Sequence, residues 1–170
     1  MLGNVARNDA RKQATAGRLA GDRAMVRPPR GSTLAALVDG AKGLAHPTRL
    51  RLLAMLAHGE LCVCQMTAVL ELAPSTVSEH LAVLSRGGLV TERKEGKLVF
   101  YRLREDGVAA ALAAALLAGL ASDPIVTADR AVVARLRRVS IATLCAAELD
   151  LVAIGVRAPT APAREASPGR

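Results

Sequence analysis

Ser75-Thr76-Val77-Ser78-Glu79-His80-Leu81, followed past Gly87-Gly88 by Leu89-Val90-Thr91-Glu92-Arg93-Lys94-Glu95-Gly96-Lys97-Leu98-Val99-Phe100-Tyr101-Arg102-Leu103, is the stretch that decides the fold. In its first half Val77, Leu81 and Leu84 recur at helical spacing, which turns Ser75, Thr76, Ser78 and Glu79 outward. Ser75 or Thr76 is expected to cap this helix, Thr76 and Glu79 have the spacing of a capping box, and Gly87-Gly88 ends it. The second half changes period. Two β-branched and aromatic runs flank Glu95-Gly96, a turn dipeptide, and predict a hairpin.

Upstream, Glu60-Leu61-Cys62-Val63-Cys64 opens a helical stretch to about Leu70, and Leu72-Ala73-Pro74 breaks it. Two helices joined by a short turn, the second opening with small polar residues, make a helix-turn-helix. A basic hairpin directly after it makes a winged helix. The expected fold class is therefore mainly α with a small β-hairpin wing (α+β).

Ser32 or Thr33 is expected to cap a first helix carrying Leu34, Leu37, Val38, Ala41 and Leu44. Pro47 suits the first position of a second helix, whose stripe is Leu50, Leu53, Ala54, Leu56 and Ala57 and whose end is Gly59. Beyond the wing, Asp106 or Gly107 begins an Ala- and Leu-rich helix to Leu120. Asp123-Pro124 introduces a last amphipathic helix carrying Val132, Val133, Leu136, Val139 and Leu144. These helices hold more apolar surface than a minimal winged helix covers, which points to a second copy as partner.

With one Phe, one Tyr and no Trp, the core must be built from Leu, Val and Ala, which favours packed helices. The net charge of +8 suggests a polyanionic partner. Residues 1–31 hold seven Lys/Arg against two acids, residues 32–104 nine against six, and residues 105–170 seven against seven. The domain plan is thus a disordered basic arm at 1–31, a folded domain at 32–156 and a disordered tail at 157–170. Met25 is a candidate true start within the arm. No stretch reads as a secretory signal or a membrane span, and Cys62, Cys64 and Cys145 do not read as a secreted disulfide framework. A cytoplasmic setting without a membrane partner is expected.

Ala45-His46-Pro47-Thr48-Arg49-Leu50, Glu60-Leu61-Cys62-Val63-Cys64, Ser75 to Leu81 and Gly96 to Leu103 together resemble the arsenic-repressor (ArsR/SmtB-type) family of winged-helix regulators. The resemblance runs from about Leu34 to Leu103. It implies a homodimer, paired through its first and last helices, that represses transcription until an inducer binds. Two positions depart from the family pattern. Thr67 stands where the best-known arsenite sensors carry a third cysteine, and Glu79 stands at a recognition-helix position that is often basic.

On double-stranded operator DNA, Ser75, Thr76 and Ser78 are the candidates to reach base edges in the major groove, with Glu79 an acceptor for cytosine. Arg93, Lys94 and Lys97 of the hairpin are placed for phosphate. His80 belongs to the same DNA-facing set, although its place beside Leu81 favours packing over base contact. Cys62 and Cys64 are the candidate ligands, since soft thiolates select arsenite, antimonite or a cadmium-class ion, As(III) or Sb(III) before Cd(II). Cys145 is either core filler or a third ligand offered to the other subunit's pair. No His follows His80, so the C-terminal helices lack the His/Asp/Glu set of the family's zinc sensors.

A bare DNA-architectural protein with no ligand is one alternative to the metalloid-responsive repressor, and two others use the thiols. One is a winged-helix repressor in which Cys62 and Cys64 are a redox switch. The other is a thiol-dependent arsenic-handling enzyme, disfavoured because the chain offers neither a Gly-rich phosphate loop nor a Cys-x-x-Cys pair. The expectation is no enzyme and no catalytic residue.

Overall fold

The computed structural model describes residues 31–158. The arm expected at 1–31, apart from Gly31, lies outside the described residues, as does the expected tail from 159 onward. Helix α1 (Thr33–Leu44) starts where Ser32 Oγ accepts the Ala35 N–H at 3.1 Å. Helix α2 (Pro47–Leu56) is capped by His46, whose Nδ1 accepts the Thr48 N–H, with Pro47 at its first position. Both starts follow from local chemistry. A polar acceptor satisfies an orphan N–H, and proline lacks the N–H that would otherwise be idle.

The third helical stretch starts later than its sequence suggests. Leu61–Cys62 is a strand, β1, and α3 (Val63–Leu70) begins only after it. The cause is a distant partner: Leu61 pairs with Tyr101 and Cys62 with Phe100, which holds Cys62 extended. Helix α4 (Pro74–Arg86) also departs from expectation. Its cap is Ala73, without a side-chain bond, and Pro74 takes the first position. Ser75 and Thr76 therefore lie inside the first turn, and no Thr76–Glu79 capping box forms. Proline's fixed φ presets the helix earlier than a hydroxyl cap would.

Strands β2 (Val90–Glu95) and β3 (Leu98–Leu103) form the wing, and β1 extends it to an antiparallel sheet of order β1-β3-β2. Glu95 pairs with Leu98, so the two-residue loop is Gly96-Lys97 and not Glu95-Gly96. Gly96 supplies the positive φ, 59°, that a Gly-first hairpin loop requires.

Helix α5 (Val108–Gly119) packs on α1, and α6 (Pro124–Leu136) packs on α2 and α3. The apolar run after Asp123 is split. It breaks after Leu136 and restarts as α7 (Ile141–Ala146), capped by Ser140. One core joins Leu52, Leu53, Met66, Leu81, Leu84, Leu89, Leu136 and Leu144. Arg157 reaches back to donate to the Val69 carbonyl at 3.0 Å and to pair with Glu71, at the turn between α3 and α4. The ordered packing thus extends at least one residue past the expected boundary at 156.

Candidate functional site

Cys62 is fully buried and caps α3. Its Sγ accepts the Gln65 N–H at 3.3 Å, while the Gln65 side-chain oxygen accepts the Cys62 N–H at 3.0 Å. The cap is thereby reciprocal, with sulfur in the usual place of a hydroxyl. Cys64 is half-buried on the first turn and forms a disulfide with Cys62, the two Cα atoms lying 5.4 Å apart. Residues i and i+2 on a regular helix point apart. These two sulfurs meet because Cys62 is extended and only Cys64 is helical.

Cys145 is exposed on α7, next to the buried Leu144, and so is not core filler. Among the described residues no group of three or more His, Cys, Asp or Glu side chains is gathered to hold a metal ion. Within one chain, then, the soft donors that stand together are Cys62 and Cys64.

α3 packs on α4, which carries the DNA-facing candidates. Ser75, Ser78 and Glu79 are exposed and Thr76 is half-buried. His80 is half-buried, its ring centroid 4.6 Å from that of His46. Burial first, then the neighbouring His46 and Arg49, holds its imidazole below the usual range. It packs between α4 and the start of α2, as its place beside Leu81 suggests.

On the wing Lys94 and Lys97 are exposed, and among the described residues neither forms an ion pair. Arg93 is differently placed. Its guanidinium lies 4.7 Å from the centre of the Phe100 ring and binds Glu60 at 2.8 Å and Glu95 at 2.6 Å. Hydrogen bonding from Arg93 lowers the Glu60 carboxyl pKa, and the same bonds raise that of Arg93. Arg93 thus ties the wing to the residue that leads into β1 and Cys62.

Sequence reasoning missed a second tie. Arg51 on α2 makes a two-pronged ion pair with Asp129 on α6, at 2.7 and 2.8 Å, and Asp129 is buried. The Asp129 hydrogen bond raises the Arg51 pKa further. A signal was present: Asp129 falls at helical spacing between Val126 and Val132-Val133, on the buried face of α6. An acid on an apolar stripe calls for a buried base.

Residues 46–92 match the model described as bacterial regulatory protein, arsR family. The chain is 48% identical over 68 residues to the biofilm growth-associated repressor of Agrobacterium fabrum, covering 40% of this chain and 58% of that protein. It is 44% identical over 66 residues to an arsenic resistance transcriptional regulator of Pseudomonas putida, covering 38% and 52%. It therefore spans little more than half the length of these two relatives. With an HTH-type transcriptional regulator of Methanocaldococcus jannaschii the identity is 41% over 68 residues, 39% of this chain and 76% of that one. The chain belongs to the ArsR family. The ArsR-matched segment runs from the cap of α2 into β2, and so contains Cys62, Cys64 and the whole of α4. Helices α5 to α7 and Cys145 lie beyond that segment.

Proposed function

We propose that this ArsR-family chain is a cytoplasmic transcriptional repressor that binds operator DNA as a homodimer. Its DNA is released when the reduced Cys62 and Cys64 thiolates bind arsenite, antimonite or a soft ion such as cadmium. The observation that carries this reading is the meeting of two sulfurs at the cap of α3, the helix that supports α4. Sulfurs close enough to bond to each other are close enough, once reduced, to share one soft ion. The Pseudomonas putida relative, by its name a regulator of arsenic resistance, supports the same chemistry.

The cap supplies the mechanism. In the disulfide-bonded chain Cys62 Sγ accepts the Gln65 N–H, and the reduced thiolate is the stronger acceptor in the same place. A soft ion takes up sulfur electron density and draws Cys64 toward itself, which weakens that acceptor and frays the first turn of α3. Losing an N-cap costs about 1 kcal/mol, within the roughly 1–3 kcal/mol typical of coupling between two sites. The DNA-facing set is Ser75, Thr76, Ser78, Glu79, Lys94 and Lys97, with His80 packing behind it and Arg93 bracing the wing. The exposed Leu34, Leu37 and Val38 of α1 and Leu116 of α5 supply an apolar face for a second copy. Cys145 is exposed and outside the chain's own pair, and whether it adds a third thiolate across that dimer is read from the Cys145→Ser variant.

A redox reading shares the site. The Cys62–Cys64 disulfide itself favours it, since oxidation by a peroxide or sulfur species closes the pair. Operator binding followed by fluorescence anisotropy separates the two. Under reducing conditions arsenite releases the wild type but not Cys62→Ser or Cys64→Ser, and Cys145→Ser reports whether a third thiolate takes part. Release by oxidant alone, reversed by a reductant, would transfer the function to redox sensing. Operator DNA that stays bound in every titration would contradict both.

A further inference from the structure

Thr67 follows Cys64 by three residues on α3, and residues so spaced lie on one helix face about 5–6 Å apart at Cβ. It is 5% exposed, and its Oγ1 is buried without a hydrogen-bond partner among the described residues. The Thr67 carbonyl is occupied, accepting the Glu71 N–H at 2.9 Å, but the hydroxyl is idle. Arg130 Nε is also buried and idle, yet its guanidinium donates elsewhere, to the Ala121 carbonyl. Threonine's one polar side-chain group makes no hydrogen bond among the described residues. Valine would fill the same space without burying an unmet donor.

We propose that Thr67 is a specificity-determining residue of the Cys62–Cys64 site, its hydroxyl hydrogen-bonding the oxygen that two thiols leave on trivalent arsenic. The assignment rests on the metalloid reading above. Arsenous acid, As(OH)3, reacts with two Cys–SH to give (Cys–S)2As–OH and two waters. Two As–O bonds break, two As–S bonds form, and each thiol proton leaves with a hydroxide as water. Arsenic stays trivalent, and the disulfide must first be reduced, here by an added phosphine. One hydroxide remains on arsenic, both donor and acceptor, in a setting where the nearby Thr67 hydroxyl lacks a partner. A monosubstituted arsenical such as hydrated phenylarsine oxide, C6H5As(OH)2, loses both hydroxides to the same two thiols and presents no oxygen.

The test is calorimetric titration of the full reduced chain with arsenite and, separately, with phenylarsine oxide. Thr67→Val should raise the arsenite Kd about 5–10-fold and leave that for phenylarsine oxide within about twofold, as expected for one lost hydrogen bond. Thr67→Ser should restore arsenite binding. Without ligand, Thr67→Val should unfold at the same temperature as wild type or higher, which a merely structural hydroxyl would not allow. Equal weakening toward both arsenicals, or no change toward arsenite, would overturn the assignment. Failure of wild type to bind either compound would overturn the metalloid reading, and this assignment with it.

Discussion

Tyr101 is the chain's one tyrosine, and its hydroxyl donates to Glu92 at 2.8 Å across the two strands of the wing. Burial, assisted by that bond, pushes its phenol up to about 12, against an ordinary value of about 10. Because no other tyrosine interferes, an ultraviolet phenolate titration of the folded chain should show one step near 12. The folded state keeps its proton to higher pH than the unfolded chain, so this contribution is complete below about pH 10 and is lost as pH rises toward 12. A phenolate step at the ordinary value would show that the Tyr101–Glu92 link does not hold the wing in solution. At this scale the sequence was only partly legible. The residue types facing outward on α4 follow from helical periodicity, whereas the restraint on Arg93 by Glu60 joins positions 33 residues apart and leaves no local mark.

Among the elements, α1 and α5 are fitted at a glycine. A Cβ on Gly40 would stand 2.8 Å from the Ala109 Cβ and 3.4 Å from its Cα, a stub with no rotamer to yield. Gly40→Ala should therefore lower the urea midpoint. The overpacking costs about 1–3 kcal/mol, more than the ~1 kcal/mol that alanine returns in helix propensity. A raised midpoint would show that α1 does not seat on α5 as described. Sequence made most elements legible where a local signal fixes them: Ser32 and Pro47 at helix starts, apolar stripes on α1, α2 and α4, and the turn glycine of the wing. It failed where the cause is distant or weak. The strand β1 exists through Phe100 and Tyr101, far along the chain. The break between α6 and α7 has neither Gly nor Pro to mark it, and rests on Ser140 accepting the Thr143 N–H.

Across the whole molecule, contacts run without a gap from the thiols to the surface proposed to face DNA. Cys62 caps α3, α3 packs on α4, and Arg93 ties the wing to Glu60 just before β1. The C-terminal helices brace this arrangement from behind, through Arg51–Asp129 on α2 and through Arg157 at the turn between α3 and α4. The two-sulfur site was legible as a Cys-x-Cys spacing. Its geometry was not, because it depends on the strand that ends at Cys62. An ion on these sulfurs, in the function proposed, loosens the cap of α3 and is felt at α4. Amide hydrogen exchange on the reduced chain, with and without arsenite, reads both effects. Arsenite should speed exchange at Gln65, whose N–H is bonded to Cys62 Sγ, by roughly five- to tenfold for the loss of one cap. It should also lower protection in the first turn of α4. Unchanged protection at both places with arsenite bound would contradict the claim.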